Sequence, residues 1–194
     1  MFALSEVPTE LRCPDCDHYI KDLRQHEGFE ILTARVLDAK VAADWNEGFD
    51  VYESALFPDR TFQVKMANAR ENRPVTKTVN GRTNTWDASP TWTWSETIAF
   101  SADVYVLYGI KDETVYPFVV PVYLWEDESY DSGSNKRILT ISTDQYSRCG
   151  KYRNSFKRNK FWQYLIKTWP SGLLETVEYY TNYQPMEQAS LFAA

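Results

Sequence analysis

Gly48-Phe49-Asp50-Val51-Tyr52, followed by Phe62-Gln63-Val64-Lys65, is the stretch on which the reading of this chain turns. Strand alternation puts Gln63 and Lys65 on one face, while Phe62 and Val64 point the other way into a core. Between the two segments, Ser54-Ala55-Leu56-Phe57-Pro58-Asp59-Arg60 supplies a turn, because proline presets φ and aspartate bonds to nearby backbone. A hairpin built this way sets Asp50 beside Gln63 and Lys65, so three polar groups converge at an otherwise apolar place. Asp59 sits in the turn, too close to Gln63 to lie on the partner strand. Asp50 is therefore the assigned acid.

Upstream, from residue 28 to residue 45, Phe29, Leu32, Val36, Leu37 and Val41 recur at helical intervals with Glu30, Arg35, Asp38 and Lys40 between them. That periodicity predicts a helix. Downstream, residues 102–110 and 115–125 are almost continuously β-branched and aromatic, the pattern of central strands covered on both faces. Lys111-Asp112-Glu113-Thr114 links them as a hairpin, and the prolines of the second run imply a bend or an edge. Thr91-Trp92-Thr93-Trp94 alternates and reads as a strand whose tryptophans pack a sheet. A further short strand is expected at 137–141. Helical pattern returns at Phe161, Tyr164, Leu165 and Trp169, breaks at Pro170, and resumes through Leu173, Leu174, Val177 and Tyr180. No internal repeat is found.

At 194 residues the chain suits one domain with a sizeable core. It is 43% hydrophobic and 25% charged, with 7 Trp, 13 Tyr and 10 Phe, which favours a packed, aromatic-rich sheet over disorder. No apolar run is long enough to span a bilayer and no signal-peptide pattern opens the chain, so an intracellular, cytoplasmic protein is expected. The net charge of −6 excludes a generally basic nucleic-acid binder. Charge is nevertheless segregated. Residues 148–160 hold six cations, Arg148, Lys151, Arg153, Lys157, Arg158 and Lys160, and no anion, with Tyr152 and Phe156 interleaved. Such a strip reads either as a solvated face or, beside a metal-type site, as a phosphate-binding surface with stacking aromatics. Arg70 and Arg73 begin a second basic group.

The acid on one strand and the polar-x-Lys triplet on the next resemble the PD-(D/E)xK nuclease superfamily, in its minority Gln-x-Lys form. Gln63-Val64-Lys65 stands where most relatives have Glu-x-Lys, and Ala102-Asp103 resembles the opening of the third core strand. The family's helix-borne acid matches Glu30, with Glu27 as the second choice. The resemblance covers about the middle half of the chain, and its motif is short. It implies a restriction-endonuclease-like α/β domain, with a mixed central sheet flanked by helices, at residues 28–183. It also implies DNA cleavage with Mg²⁺ or Mn²⁺, held by Asp50 and Gln63 with Glu30 adding a carboxylate. Lys65 would face the scissile phosphate and the attacking water. A neutral amide at position 63 lowers the negative charge at the metal and leaves two-metal occupancy in doubt. DNA contacts would come from Arg70, Arg73, Lys151, Arg153, Lys157, Arg158 and Lys160. Cutting both strands with one site per chain would call for a homodimer, and a DNA enzyme would sit at the nucleoid. Two rivals remain open: an inactive DNA-binding module of the same fold, and an adaptor in which Asp50 and Lys65 form an internal ion pair.

Residues 1–27 carry Cys13-Pro14-Asp15-Cys16, with His18 and His26 following. Two thiolates from one tight turn suit tetrahedral zinc, so Cys13, Cys16, His18 and His26 are candidate ligands of a small knuckle. No second histidine follows His26 at finger spacing, so the fourth ligand is either His18 or the distant Cys149. A redox pair or two plain thiols are the alternatives. Residues 184–194 read as a tail, in which Gln188-Ala189-Ser190-Leu191-Phe192 is similar to the bacterial sliding-clamp-binding pentapeptide. Leu191 and Phe192 would fill an apolar pocket and Gln188 would bond at its rim.

Overall fold

The computed structural model describes residues 1–43, 48–72, 75–86, 89–97, 102–128, 130–131, 136–148, 156–158 and 160–182. In chain order, β1 (Phe2–Ala3) precedes the hairpin of β2 (Glu10–Arg12) and β3 (Tyr19–Asp22). Then come α1 (Gln25–Leu37), β4 (Lys40–Val41), β5 (Val51–Tyr52) and β6 (Phe62–Asn68). A second hairpin, β7 (Val75–Val79) and β8 (Arg82–Trp86), leads to β9 (Thr91–Thr97). The long pair β10 (Val104–Lys111) and β11 (Thr114–Pro121) follows, then α2 (Val122–Glu128), β12 (Tyr130–Asp131) and β13 (Lys136–Ser142). The last elements are β14 (Tyr146–Arg148), β15 (Phe156–Arg158) and α3 (Ser171–Asn182).

A mixed six-stranded sheet in the order β1-β11-β10-β6-β5-β4 organises the α/β fold. β10 runs antiparallel to β11 and parallel to β6, in register from Val104 opposite Phe62 to Ile110 opposite Asn68. Every residue of β10 except Lys111 is buried, as its unbroken apolar sequence requires. The sheet's two faces carry separate cores because side chains alternate along each strand. Phe62, Val64, Val106 and Tyr108 join Phe29, Ala34 and Leu37 of α1 and Leu173 and Val177 of α3. Tyr105, Leu107 and Phe118 join Trp92 and Trp94 of β9, Leu139 and Ile141 of β13, Trp125 and Phe161. A three-stranded sheet, β12-β13-β9, thus covers the face opposite α1 and α3.

Two close approaches lock these layers. Thr33 of α1 shares a 2.7 Å hydrogen bond with the buried Tyr108 hydroxyl, which seats the helix on the sheet. On the other face Trp92 lies directly on Gly109, where a Cβ would come within 2.6 Å of the indole. The Trp92 Nε1–H donates to Ile110 O at 3.0 Å, so the indole's polar edge is satisfied in the core.

Several boundaries differ from those expected. The helix predicted for residues 28–45 begins at Gln25 and stops at Leu37, because Asp38 takes a left-handed conformation (φ 47°). Lys40 and Val41 then pair with Tyr52 and Val51, so sheet formation claims a residue whose spacing also fits the helix. The strand expected through Trp125 ends at Pro121, and α2 takes over. Phe161 and Tyr164 lie in a 3-10 turn rather than an α-helix, and helix resumes only at Ser171. The expected strands at 91–94 and 137–141 are β9 and β13.

The turn between β5 and β6 hangs on Ser54, which is buried. Its Oγ–H donates to Leu37 O, while the oxygen accepts from Leu56 N at 3.2 Å and Phe57 N at 3.1 Å. Ser54→Ala should take this partner from the buried Leu37 carbonyl and from the part-buried Leu56 and Phe57 amides, and cost about 1–3 kcal/mol. A urea titration showing no change of midpoint would contradict that role.

Candidate metal centre

Asp50 stands just ahead of β5. Its amide donates to Phe62 O at 2.9 Å, and the pairing of β5 with β6 is limited to Val51 opposite Phe62. Where another residue would continue the ladder, the Asp50 carboxylate takes over. Its Oδ2 accepts from the Val64 amide at 2.7 Å and from Gln63 Nε2 at 2.5 Å. The aspartate therefore caps a sheet edge and anchors a glutamine that is 5% exposed. Lys65 follows on the Gln63 face and reaches Glu96 of β9, Nζ to Oε2, at 2.8 Å.

Glu30 arrives from α1, beside the buried Phe29. Burial first, and then the neighbouring charges of Asp50 and Glu27, push its carboxyl up to about 7, against the opposing pull of Lys65 and Arg24. Asp50 is also raised, chiefly by burial; Lys65, the Val64 amide and His26 hold it down, while Glu96 pushes it up. These charge effects, the Gln63–Asp50 hydrogen bond and the Lys65–Glu96 pair put Glu30, Asp50, Gln63, Lys65 and Glu96 in one neighbourhood. Glu27 has a different task. It accepts from the Arg24 amide at 2.9 Å and from its guanidinium, and is held down at about 2 by capping α1.

The pH consequence follows from the direction of the Glu30 shift. Its carboxyl titrates near 7 when folded and near 4.5 when unfolded, so its contribution to stability is fully present below 4.5. That contribution is lost as pH rises through 7. Glu30→Gln should therefore stabilise the metal-free protein at slightly alkaline pH by about 1 kcal/mol, after allowance for solvent screening. It should leave stability little changed in acid. Denaturant midpoints of both proteins across this range check the claim, and parallel curves would contradict it.

The donor set is oxygen-based. Glu30 and Asp50 offer carboxylates, and Gln63 offers an amide oxygen once its end now facing Asp50 is turned away. Two hard ligands and an amide fit a small divalent cation that keeps several waters. Among the described residues, no three His, Cys, Asp or Glu side chains converge closely enough to hold an ion by themselves.

The other expected site residues are dispersed. Cys13 and Cys16 meet at the tip of the β2–β3 hairpin, where Cys13 N donates to His18 O and Asp17 N to Cys13 O, both at 2.9 Å. The Cys13 thiol is shifted down by hydrogen bonds from the Asp15 backbone first and then from Cys16. His26 lies instead in the first turn of α1, where its charge acts on Asp50, so the expected four-ligand knuckle is not gathered here. Arg70 is exposed and bridges Thr91 through its backbone. Lys157 and Arg158 belong to β15, paired with β14, and Lys160 opens the 3-10 turn. Arg73, Lys151, Arg153, Cys149, Gln188, Leu191 and Phe192 lie outside the described residues.

Glu96 is the residue that motif reading missed. A signal existed: it shares strand parity with Trp92 and Trp94, so once those indoles are assigned to the sheet interface, Glu96 must face the sheet too. No family model matches the chain, and no curated protein matches it.

Proposed function

We propose that the chain is a Mg²⁺- or Mn²⁺-dependent endodeoxyribonuclease of the PD-(D/E)xK type, hydrolysing DNA phosphodiester bonds. The observation that carries this reading is the convergence of Glu30, Asp50, Gln63 and Lys65 from one helix and one hairpin. The order helix, Asp50 strand, Gln-x-Lys strand and a parallel third strand opened by Asp103 agrees with the resemblance. Asp103 accepts from Thr61 N at 2.9 Å and Thr61 Oγ1 at 3.0 Å, which closes the start of that strand against β6.

Glu30 and Asp50, with the Gln63 oxygen, would hold the cation. When bound, it supplies Lewis-acid polarisation of the phosphate and a more acidic water. The protein's own part is positional and electrostatic. Asp50 fixes the β6 edge, and Lys65 offers a cation where negative charge builds on the phosphate. Glu96 holds that ammonium in place from the facing sheet. The basic residues at 148–160 would bind the flanking backbone, and the 188–192 segment would dock a sliding clamp. The Lys65–Glu96 pair also favours a second reading, a DNA-binding module whose lysine is permanently engaged.

Incubating the full chain with duplex, nicked and branched DNA, with Mg²⁺, Mn²⁺ or chelator, separates these. Metal-dependent cuts that vanish in Asp50 and Lys65 variants support the nuclease. Salt-sensitive binding without any cut would replace it with the second reading.

A further inference from the structure

We propose that Glu96 is a latch on Lys65: its carboxylate occupies the ammonium that a DNA phosphate must take, so that DNA binds by displacing it. The latch rests on the DNA-directed reading of the site and adds to it the way the free protein keeps its lysine engaged.

The way the two sheets meet sets up this contact. Gln63, Lys65 and Ala67 alternate onto one face of β6, and Ala67 is buried there with Trp92 and Trp94 of β9. Trp92 lies on Gly109, the register partner of Ala67, whereas Glu96 meets Lys65. Along β9 the cover over this face therefore changes from indole to carboxylate as it reaches the lysine. Glu96 Oε2 lies 2.8 Å from Lys65 Nζ, and the side chains are 17% and 28% exposed. The pair is sheltered enough to form directly, yet open enough for an outside anion to reach the ammonium. A partly exposed ion pair is a weak one, because water competes for both partners. A phosphate oxygen accepts the same charge-assisted bond as a carboxylate, so it can replace Glu96 like for like.

Two further observations favour exchange over a fixed strut. Arg137 stands directly opposite Glu96 in the β9–β13 register, and such cross-strand partners share a face. Glu96 thus keeps a cationic neighbour when Lys65 leaves it. The local charge also works against DNA until that happens. Glu30, Asp50 and Glu96 gather three carboxyl groups around Lys65, whose charge acts on Glu30 and Asp50 as well. While Glu96 holds the ammonium, little positive charge is left there to receive a phosphate.

The test is fluorescence anisotropy of a labelled DNA duplex with the full chain in chelator, where metal-dependent cutting is suppressed. Glu96→Gln keeps the shape of the side chain and removes its charge. It should bind roughly three- to tenfold tighter than the wild type. Glu178→Gln, at an exposed acid of α3, changes net charge equally and should tighten binding far less. In a Lys65→Met background Glu96→Gln should give no gain, because the cation it would free is gone. Thermal melts check that each variant is folded. Should Glu96→Gln fail that check, Glu96→Asp draws the carboxylate back by a methylene and should show a smaller gain. Equal or weaker binding by the folded Glu96 variant, or a gain that persists without Lys65, would overturn the latch and leave the DNA reading standing. No DNA binding by any folded protein at low salt, with chelator or with Ca²⁺, would overturn both.

Discussion

Lys65→Ala is expected to lower metal-dependent DNA cleavage by roughly a hundred- to a thousandfold or more while the protein stays folded. The substitution removes the cation on the Gln63 face and leaves Glu96 without the ammonium it meets at 2.8 Å. The lost partner makes a stability effect unavoidable, so rate and folding must be read together. Glu96→Gln separates them. It breaks the same ion pair but keeps Lys65, and should cost far less activity than Lys65→Ala. Equal losses from both would mean that the pair is architectural.

Asp50 needs a gentler replacement than alanine. Its Oδ2 satisfies the Val64 amide on an edge that β5 no longer covers, and alanine would strand that donor. An asparagine side chain retains an acceptor for Val64 while removing the charge, so Asp50→Asn is the cleaner loss-of-metal variant. It should abolish cleavage at wild-type-like stability, and it should also bring the Glu30 carboxyl down, because Asp50 is one of the charges holding it up. Persisting cleavage in this variant would place the chemistry elsewhere.

The largest stability effect is expected at Trp92. Trp92→Ala should cost about 3–5 kcal/mol, since it empties the space over Gly109 and removes the Nε1 bond to Ile110 O. Gly109→Ala attacks the same contact from the other side, and its new methyl would meet the indole at 2.6 Å. Overpacking of this kind costs about 1–3 kcal/mol. In the double variant the methyl enters the space left by the indole, so the two losses should not add. Additive denaturant midpoints would contradict the packing described here.

Much of this arrangement was legible before any tertiary information. The β10–β11 hairpin could be read because its residues allow little else: β-branched and aromatic side chains pack a pleated surface on both faces. The alternation of Phe62, Gln63, Val64 and Lys65 sorted core from site because a strand's period of two is rigid. Proline and aspartate in the intervening turn brought Asp50 back beside Gln63. Where local patterns were degenerate, reading failed. Val41 suits the helix by spacing and the sheet by shape, and the pairing with Val51 decided between them. The prolines of the run ending at Trp125 marked a bend, and the strand does end at Pro121; the helix that follows was hidden, because the apolar run has no internal break that periodicity can detect.

By itself, then, the sequence determined the central strands, the Asp50 hairpin and the face on which Gln63 and Lys65 stand, since each depends on neighbours only a few residues apart. Tertiary structure alone decided that Glu96 meets Lys65, that Glu30 is half-buried within reach of the Asp50 charge while Glu27 caps the helix, and that His26 lies apart from the two thiols. Those outcomes depend on how one sheet lies over another and on where a helix starts. They are sums of many weak packing contacts between distant segments, which no local spacing encodes.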